Sequence, residues 1–353
     1  MRLFFIFFLS LSLCTSVFSQ QEKYFYTGKD YGSEALYNPL TLILNGSFDV
    51  IQLEGFGRKV FRFPYRTSSE NVLKNLGSPL GPIKRYGWGK FLRNEIFPLE
   101  FAQNRAQWFP NYQLHLIGGG MTFTAMKEWY DYNKFPVPAV FSAATLAGFH
   151  LLNEFVENEA YKGDNVDPIA DIYVFDIGGI VLFSFDNVKK FFKETLNMAD
   201  WSLMPSFNFS DMSLQNSGQY FSVKYKLPNV KNWHLFYYFG MSGLGGLSYK
   251  FQDGTALSAG AGLKAQRRYI INPTTYQMTI STVWNTGFFY DKNNSLLASL
   301  FFSGLEENMV NLNIYPGIVK YENFSPGIWM IMSRKGHIML GLTTVYAPGF
   351  GFK

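Results

Sequence analysis

Cysteine is almost missing from this chain: among 353 residues there is one, Cys14. It falls inside a leader in which Arg2 precedes an apolar core from Leu3 to Leu13, followed by Val17, Phe18 and Ser19. That pattern reads as a cleavable secretory signal spanning residues 1–19. Cleavage after Ser19 leaves no disulfide, no thiolate nucleophile and no cysteine metal site. Lipidation at Cys14 is not expected, because Leu13 stands where a small residue is normally required. Charge is sparse as well, at 16% of residues with a formal net charge of +5. Without a Lys/Arg cluster, that small excess gives no reason to expect nucleic acid as a partner. Long apolar runs are also wanting. The leader core is far short of the ~20 residues that a spanning helix needs, and Val137 to Phe149 is too short and too interrupted to be expected to span. A strongly apolar helix would, besides, tend to stop an exported chain in the inner membrane.

What is abundant is aromatic side chains, 19% of the sequence, and alternation with period two from about Trp201 to Phe352. In one segment Leu257, Ala259, Ala261, Leu263 and Ala265 form an apolar face, interleaved with Ser258, Gly260, Gly262, Lys264 and Gln266. Such a sheet meets a different solvent on each face. We count ten segments: Ser202 to Ser210, Gln219 to Leu227, Trp233 to Gly240, Leu244 to Gln252, Thr255 to Gln266, Gln277 to Phe289, Ser295 to Ser303, Met309 to Tyr315, Gly327 to Ser333 and His337 to Tyr346. Most approach the ~9 to 11 residues that a tilted strand needs to cross a bilayer. Asp253-Gly254 fits a two-residue hairpin turn. A soluble β-sandwich also alternates, but here one face is small and polar in nearly every segment. Trp201, Trp233, Tyr237 and Tyr346 also lie near segment ends, as an aromatic girdle requires. The expected fold is therefore α+β: a helical domain over 20–197, then a small antiparallel transmembrane β-barrel of eight to ten strands over 198–353. A barrel of that size has an interior filled by side chains.

Before Asn197 the spacing is helical. Helices are expected over Asn38 to Leu53, Ser68 to Leu76 with Ser68 and Ser69 as caps, Tyr112 to Tyr132, Pro138 to Tyr161, Pro168 to Phe185 and Asn187 to Leu196. Several carry charge inside apolar runs. His150, Glu154 and Glu157 share a helix face at i, i+4, i+7; Asp167 and Asp171 share another, with Asp176 further on. Ionised carboxylates are almost never buried without partners. One reading has His115, His150, Glu154, Glu157, Asp171 and Asp176 converging. His115, Glu154, Asp171 and Asp176 would then supply general acid and base, and His150, Glu154 and Glu157 the donors for a divalent metal. No other cofactor is expected. The bland reading pairs Glu154 and Asp171 with Lys127, Arg105 or Arg93, and makes Asp167 the cap of a helix begun at Pro168.

The order His115-Leu-Ile-Gly-Gly-Gly with Lys127-Glu128-Trp129-Tyr130-Asp131, then Glu154, then Asp171 and Asp176-Ile-Gly-Gly, resembles small bacterial envelope proteins of the YfiM and VanZ type. The similarity covers about 111–185, and its matching positions are His115, Glu154, Asp171 and Asp176. It departs from that pattern in the five-residue step from Asp171 to Asp176, where the pattern has four. The whole chain resembles uncharacterised outer-membrane proteins with a helical first half. The resemblance implies an envelope protein of poorly defined biochemistry.

Other motifs are negative. Gly118 to Gly120 lacks the strand and Lys-Ser/Thr of a phosphate loop and suits close helix packing instead. Neither a nucleophile elbow nor a His-Glu-x-x-His motif occurs. A barrel lipase or acyltransferase would need Ser and His at the lipid rim, for which His234, His337, Ser242, Ser248 and Ser333 are the candidates. The expected function is an outer-membrane envelope role, binding lipids or periplasmic and envelope proteins without catalysis. The alternatives are an enzyme acting on envelope lipid or glycan through the His/Glu/Asp cluster, and a narrow plugged transporter.

Overall fold

The computed structural model describes residues 22–98, 109–272, 277–322, 324–345 and 348–352. The leader with Cys14, Arg105 and Tyr346 lie outside the described residues. The chain is α+β, with helices up to Thr195 and a mixed thirteen-stranded sheet from Ala199 onward.

Five helices position the site: α1 (Pro39–Ser47), α2 (Tyr65–Gly77), α3 (Gly120–Tyr132), α4 (Pro138–Asn158) and α5 (Ile177–Leu182). α1 starts where Asn38 accepts a hydrogen bond from Thr41 N at 2.9 Å and Pro39 fills the first turn, where its missing N–H costs nothing. α2 begins after Pro64, so Ser68 and Ser69 are not its caps. They lie inside the helix and donate to Tyr65 O and Arg66 O at 3.2 Å. α4 is 21 residues long and, contrary to expectation, apolar enough by length and composition to cross a membrane. Its polar residues Ser142, His150, Asn153 and Glu154 are nevertheless buried in this chain.

The strands are β1 (Ala199–Asp200), β2 (Ser206–Asn208), β3 (Leu214–Gln215), β4 (Phe221–Lys226), β5 (Trp233–Phe239), β6 (Ser242–Lys250), β7 (Thr255–Asn272), β8 (Gln277–Lys292), β9 (Ser295–Ser303), β10 (Val310–Ile314), β11 (Gly327–Met332), β12 (Ile338–Thr343) and β13 (Gly349–Phe352). Their order is β1-β4-β5-β6-β7-β8-β9-β10-β11-β12-β13-β2-β3. The ten expected segments correspond to β2 and to β4 through β12. The expectation of eight to ten purely antiparallel strands needs correcting, because β1, β3 and β13 are additional and β13 pairs with β2 in parallel. β1 and β2 are separated only by Trp201 to Pro205, where proline has no N–H to give a ladder. Asn216, at φ 49°, interrupts the run between β3 and β4.

The stretch from β1 to β2 thus meets both ends of the strand series. Ala199 and Asp200 pair with β4, and Trp201 N and Leu203 N donate to Tyr220 O and Gly218 O at 2.8 and 3.0 Å. Ser206 to Asn208 pair with Gly349 to Gly351, and Gly349 N donates to Pro205 O at 3.0 Å. The β6–β7 loop is Gln252-Asp253-Gly254, one residue longer than expected. Phe251 N donates to Thr255 O across it, and Gly254 adopts φ +84°. The two-residue connection lies instead at Asn293-Asn294, at φ 50° and 64°, as a type I′ hairpin requires.

The two faces of the sheet differ sharply. Leu257, Leu263, Trp284, Phe288, Leu340 and Phe350 are exposed, whereas Ser222, Ser248, Ser258, Asn285, Asn311 and Asn313 are buried. Within the buried side an aromatic layer of Trp201, Tyr220, Tyr238, Phe289, Tyr315 and Trp329 packs around Leu36. The segment from Gly32 to Glu54 crosses this side. Gly32 N donates to Pro316 O at 2.7 Å, Asn45 Nδ2 to Leu203 O at 2.9 Å, and the Glu54 carboxylate accepts from Glu306 N and Glu307 N. It therefore runs the length of β10. The rest of the helical half packs on β4 to β6, where Phe221, Val223, Tyr237 and Phe239 join the core formed by Met121, Leu146, Phe149 and Phe183 and Phe109 approaches Gly243. Tyr37 and Leu42 of the crossing segment enter the same core, and Ser47 Oγ donates to Phe149 O at 3.0 Å.

Candidate metal centre in the helical half

His115 lies in a π-helical stretch, Phe109–Gly119, that runs directly into α3. Asp171 and Asp176 are the ends of a second π-helical stretch, Asp171–Asp176, between the short helix Asp167–Ala170 and α5. Residues five apart in an α-helix are rotated by about 140° from one another. In a π-turn, with hydrogen bonds from i to i+5, they return to one face. The five-residue spacing is thus what this local geometry needs for both carboxylates to meet His115.

Glycines bring the two helices together. A Cβ on Gly179 would stand 2.5 Å from Leu116 O and 3.0 Å from Gly120 N; one on Gly120 would stand 2.6 Å from Gly179 O. The backbones touch where side chains would otherwise hold them apart, so Gly120 serves close helix packing, whereas Gly118 makes room for the Phe221 ring of β4. His115 and Asp176 each lie within one turn of this contact. α4 brings His150 and Glu154 from the other side. Gly119 leaves room there, since a Cβ on it would lie 3.4 Å from His150 Cε1 and 3.8 Å from Asp176 Oδ1.

The groups converge. His115 Nδ1 is 3.0 Å from Asp176 Oδ1, and His115 Nε2 is 3.4 Å from Asp171 Oδ2. His150 Nδ1 is 2.5 Å from Asp176 Oδ2 but off the line that a hydrogen bond needs. The imidazole centroids are 4.8 Å apart, and Glu154 hydrogen-bonds Asp171. His150, Glu154, Asp171 and Asp176 are buried, His115 half-buried. Among the described residues, Asp171 Oδ1 and Glu95 Oε2 are buried without a hydrogen-bond partner. Glu95, on the turn Leu92–Ile96, takes a hydrogen bond from Tyr86 Oη at 3.1 Å. It adds a carboxylate that no periodic pattern in the sequence reveals.

Among the described residues, neither Lys127 nor Arg93 forms an ion pair with Glu154 or Asp171, and the charges facing Lys127 are Lys189, Glu128, Asp131 and Asp186. Asp167 lies within the first turn of its helix, whose N-cap is Val166, so the expected Asp167 cap is not formed. Glu157, on α4, is half-buried and within electrostatic reach of His115 and Asp171.

Electrostatics sort the site into unlike halves. Burial opposes charge on His115, but Asp171 and Asp176 beside it push the imidazole up to about 10. Burial would raise Asp176, yet His150 and His115 hold it below the usual carboxylate range. Burial lowers His150 despite its contact with Asp176. Asp171 is raised to about 7, by burial first and then by Asp176 and Glu157, against the pull of His115. Burial and the neighbouring carboxylates carry Glu154 well above its ordinary value. Near neutral pH this is an anion between two imidazoles, backed by protonated or half-protonated carboxyls: a proton reservoir, or a set of donors in want of a cation.

The other serine–histidine candidates do not assemble. His234 sits opposite Ser248 in the β5–β6 register, but Ser248 accepts from Ser258 at 2.8 Å, and His234 Nδ1 has no hydrogen-bond partner. His337 meets Ser333 through its backbone, its N–H donating to Ser333 Oγ at 3.1 Å and its carbonyl accepting from Ser333 N at 2.9 Å. No family model, curated protein or solved structure is significantly similar to this chain.

Proposed function

We propose that this chain is a bacterial outer-membrane protein whose sheet closes into a β-barrel through the β1–β2 stretch, with the helical half docked on the wall formed by β4 to β6. Its role is in the cell envelope, binding lipid or a partner protein. The polarity of the sheet carries this reading: the exposed face is leucine and aromatic, while serine and asparagine are buried behind it. In water that arrangement is inside out, and in lipid it is the expected one. Exposed Val174, Val181, Phe185 and Phe191 extend the apolar surface onto the helical half, as a membrane-apposed domain would. The full chain, expressed with its leader, should fractionate with outer membranes and migrate faster on unheated than on boiled SDS gels. A detergent-independent soluble monomer without that shift would sink the reading.

One observation favours a second reading, an enzyme modifying envelope lipid or glycan: His115, Glu154, Asp171 and Asp176 meet, and among the described residues no Lys or Arg pairs with them. A positioned base beside a protonated carboxyl is the apparatus of general acid–base hydrolysis. These are also the positions matching the YfiM and VanZ type pattern. Asp176→Asn and Glu154→Gln should then abolish turnover of a radiolabelled envelope fraction while leaving the gel shift intact. Transport is the least favoured role, because the Leu36 segment and the aromatic layer fill the interior, and a cavity beside Arg58 and Asn216 has a volume of only ≈ 20 Å³.

A further inference from the structure

We infer that the helical half holds one divalent first-row transition ion of the zinc or iron(II) class. His115, His150 and Asp176 would be its ligands, and Asp171 would be the outer carboxylate that orients His115. The inference rests on the helical half alone, so it stands or falls separately from the membrane reading.

Three observations carry it. The donor atoms of His115, His150 and Asp176 all lie within 4.8 Å of one another, and they come from three separate helical segments. Tetrahedral ligands at 2.0–2.1 Å from a zinc ion stand about 3.3 Å apart. The present 2.5 and 3.0 Å contacts to Asp176 would therefore open by less than about 1 Å. Second, the two faces of the His115 ring have different partners: Nδ1 looks at Asp176, Nε2 at Asp171, and Asp171 is in turn hydrogen-bonded by Glu154. A metal-bound imidazole typically donates its far N–H to a carboxylate, which fixes its tautomer. Here that carboxylate is built in, and so is the group that holds it. Third, among the described residues Asp171 Oδ1 is a buried polar atom without a hydrogen bond, and His150 Nδ1 meets only Asp176 Oδ2, at 2.5 Å and off the line of a well-formed hydrogen bond. Unsatisfied buried polar atoms are uncommon and call for a partner.

Two imidazoles and one carboxylate form the donor set of open catalytic zinc sites and of non-haem iron(II) sites, in which one or more positions remain for water or substrate. Calcium and magnesium, which prefer oxygen alone, fit poorly. His115 is the least buried of the three, with 12% of its side chain exposed, so an open position would face its side. The side chain absent at Gly119 keeps space beside His150 and Asp176.

The test uses the full-length protein in detergent micelles, stripped with a chelator and titrated with Co²⁺ and with Zn²⁺. One equivalent should bind, with the visible absorption of tetrahedral or five-coordinate cobalt. His115→Asn and Asp176→Asn should each weaken binding at least 100-fold, while Asp171→Asn should weaken it about 10–100-fold and leave the stoichiometry at one. Absence of stoichiometric binding by the native chain, or unchanged affinity in both ligand variants, overturns the inference. If the variants fail to fold, zinc-edge absorption spectroscopy on the zinc-loaded native chain decides: two imidazoles in the coordination sphere support the site, and fewer overturn it.

Discussion

Gly178 and Gly179 are adjacent, yet the close helix contact predicts opposite outcomes for them. At Gly179 a new Cβ would meet Leu116 O at 2.5 Å, Gly120 N at 3.0 Å and His115 O at 3.2 Å, all of them backbone atoms. At Gly178 it would meet only Leu116 Cδ1, at 3.0 Å, the movable end of a side chain. In an isolated helix each Gly→Ala change is favourable by up to about 1 kcal/mol. Overpacking a rigid contact costs about 1–3 kcal/mol, and backbone atoms cannot escape by changing rotamer. Relief requires the helices to part by about 1 Å to reach ordinary van der Waals separation, which also stretches the 3.0 Å contact between His115 and Asp176. Gly179→Ala should therefore lose on the order of 1–2 kcal/mol net, and Gly178→Ala should be neutral or slightly stabilised.

Guanidinium unfolding followed by near-ultraviolet circular dichroism in detergent reads both variants, with the midpoint as the measure of stability at constant m. Cobalt binding supplies a second readout, because a parted helix pair would weaken affinity even where Gly179→Ala remains folded. If the two variants behave alike, the glycines do not hold the helices at contact distance, and the account of how His115 reaches Asp176 fails.

Three other outcomes follow from the same geometry. Glu128, almost wholly buried, accepts hydrogen bonds from the backbone N–H groups of Tyr24, Phe25 and Tyr26 at 2.7–2.8 Å. Glu128→Gln should cost on the order of 2–3 kcal/mol and open the segment before Thr27 to limited proteolysis; an unchanged digestion pattern would refute that anchoring role. Glu95 is raised by burial to about 7 and Asp49 likewise to about 8. Both therefore favour the folded chain below their ordinary carboxylate values, and that contribution is lost as pH rises through 7 to 8. The metal-free protein should accordingly melt at a lower temperature at pH 8.5 than at pH 5.5, and a rise in melting temperature over that interval would contradict the burial argument. Leu263 on β7 and Leu73 on α2 are similarly exposed, at 56% and 51%. Leu263→Arg should lower the folded fraction on unheated gels, since arginine at the bilayer midplane costs about 2–4 kcal/mol, whereas Leu73→Arg should not. Equal tolerance would place the outer sheet face in water.

The parts of this chain that were legible in the sequence are those set by local period. Alternation located β2 and β4 to β12, because every second side chain of a strand faces the same medium whatever the tertiary context. β13 escaped because Gly349 to Phe352 is four residues long and begins beside Pro348. Its parallel partner is far away in sequence and leaves no local mark. The grouping of His115, His150, Glu154, Asp171 and Asp176 was visible as chemistry, through charged residues embedded in apolar runs, but not as geometry. A 3.6-residue period turns Asp176 away from Asp171, and only the π-turn restores it. Such a turn leaves the backbone less well hydrogen-bonded than a continuous α-helix, so it persists where something else compensates. Here the compensation is the Gly120–Gly179 contact and the His115 bridge, each of which requires the other. The π-turn, the paired glycines and the converging histidines are therefore one structural unit, and changing any one of them should be felt at the other two.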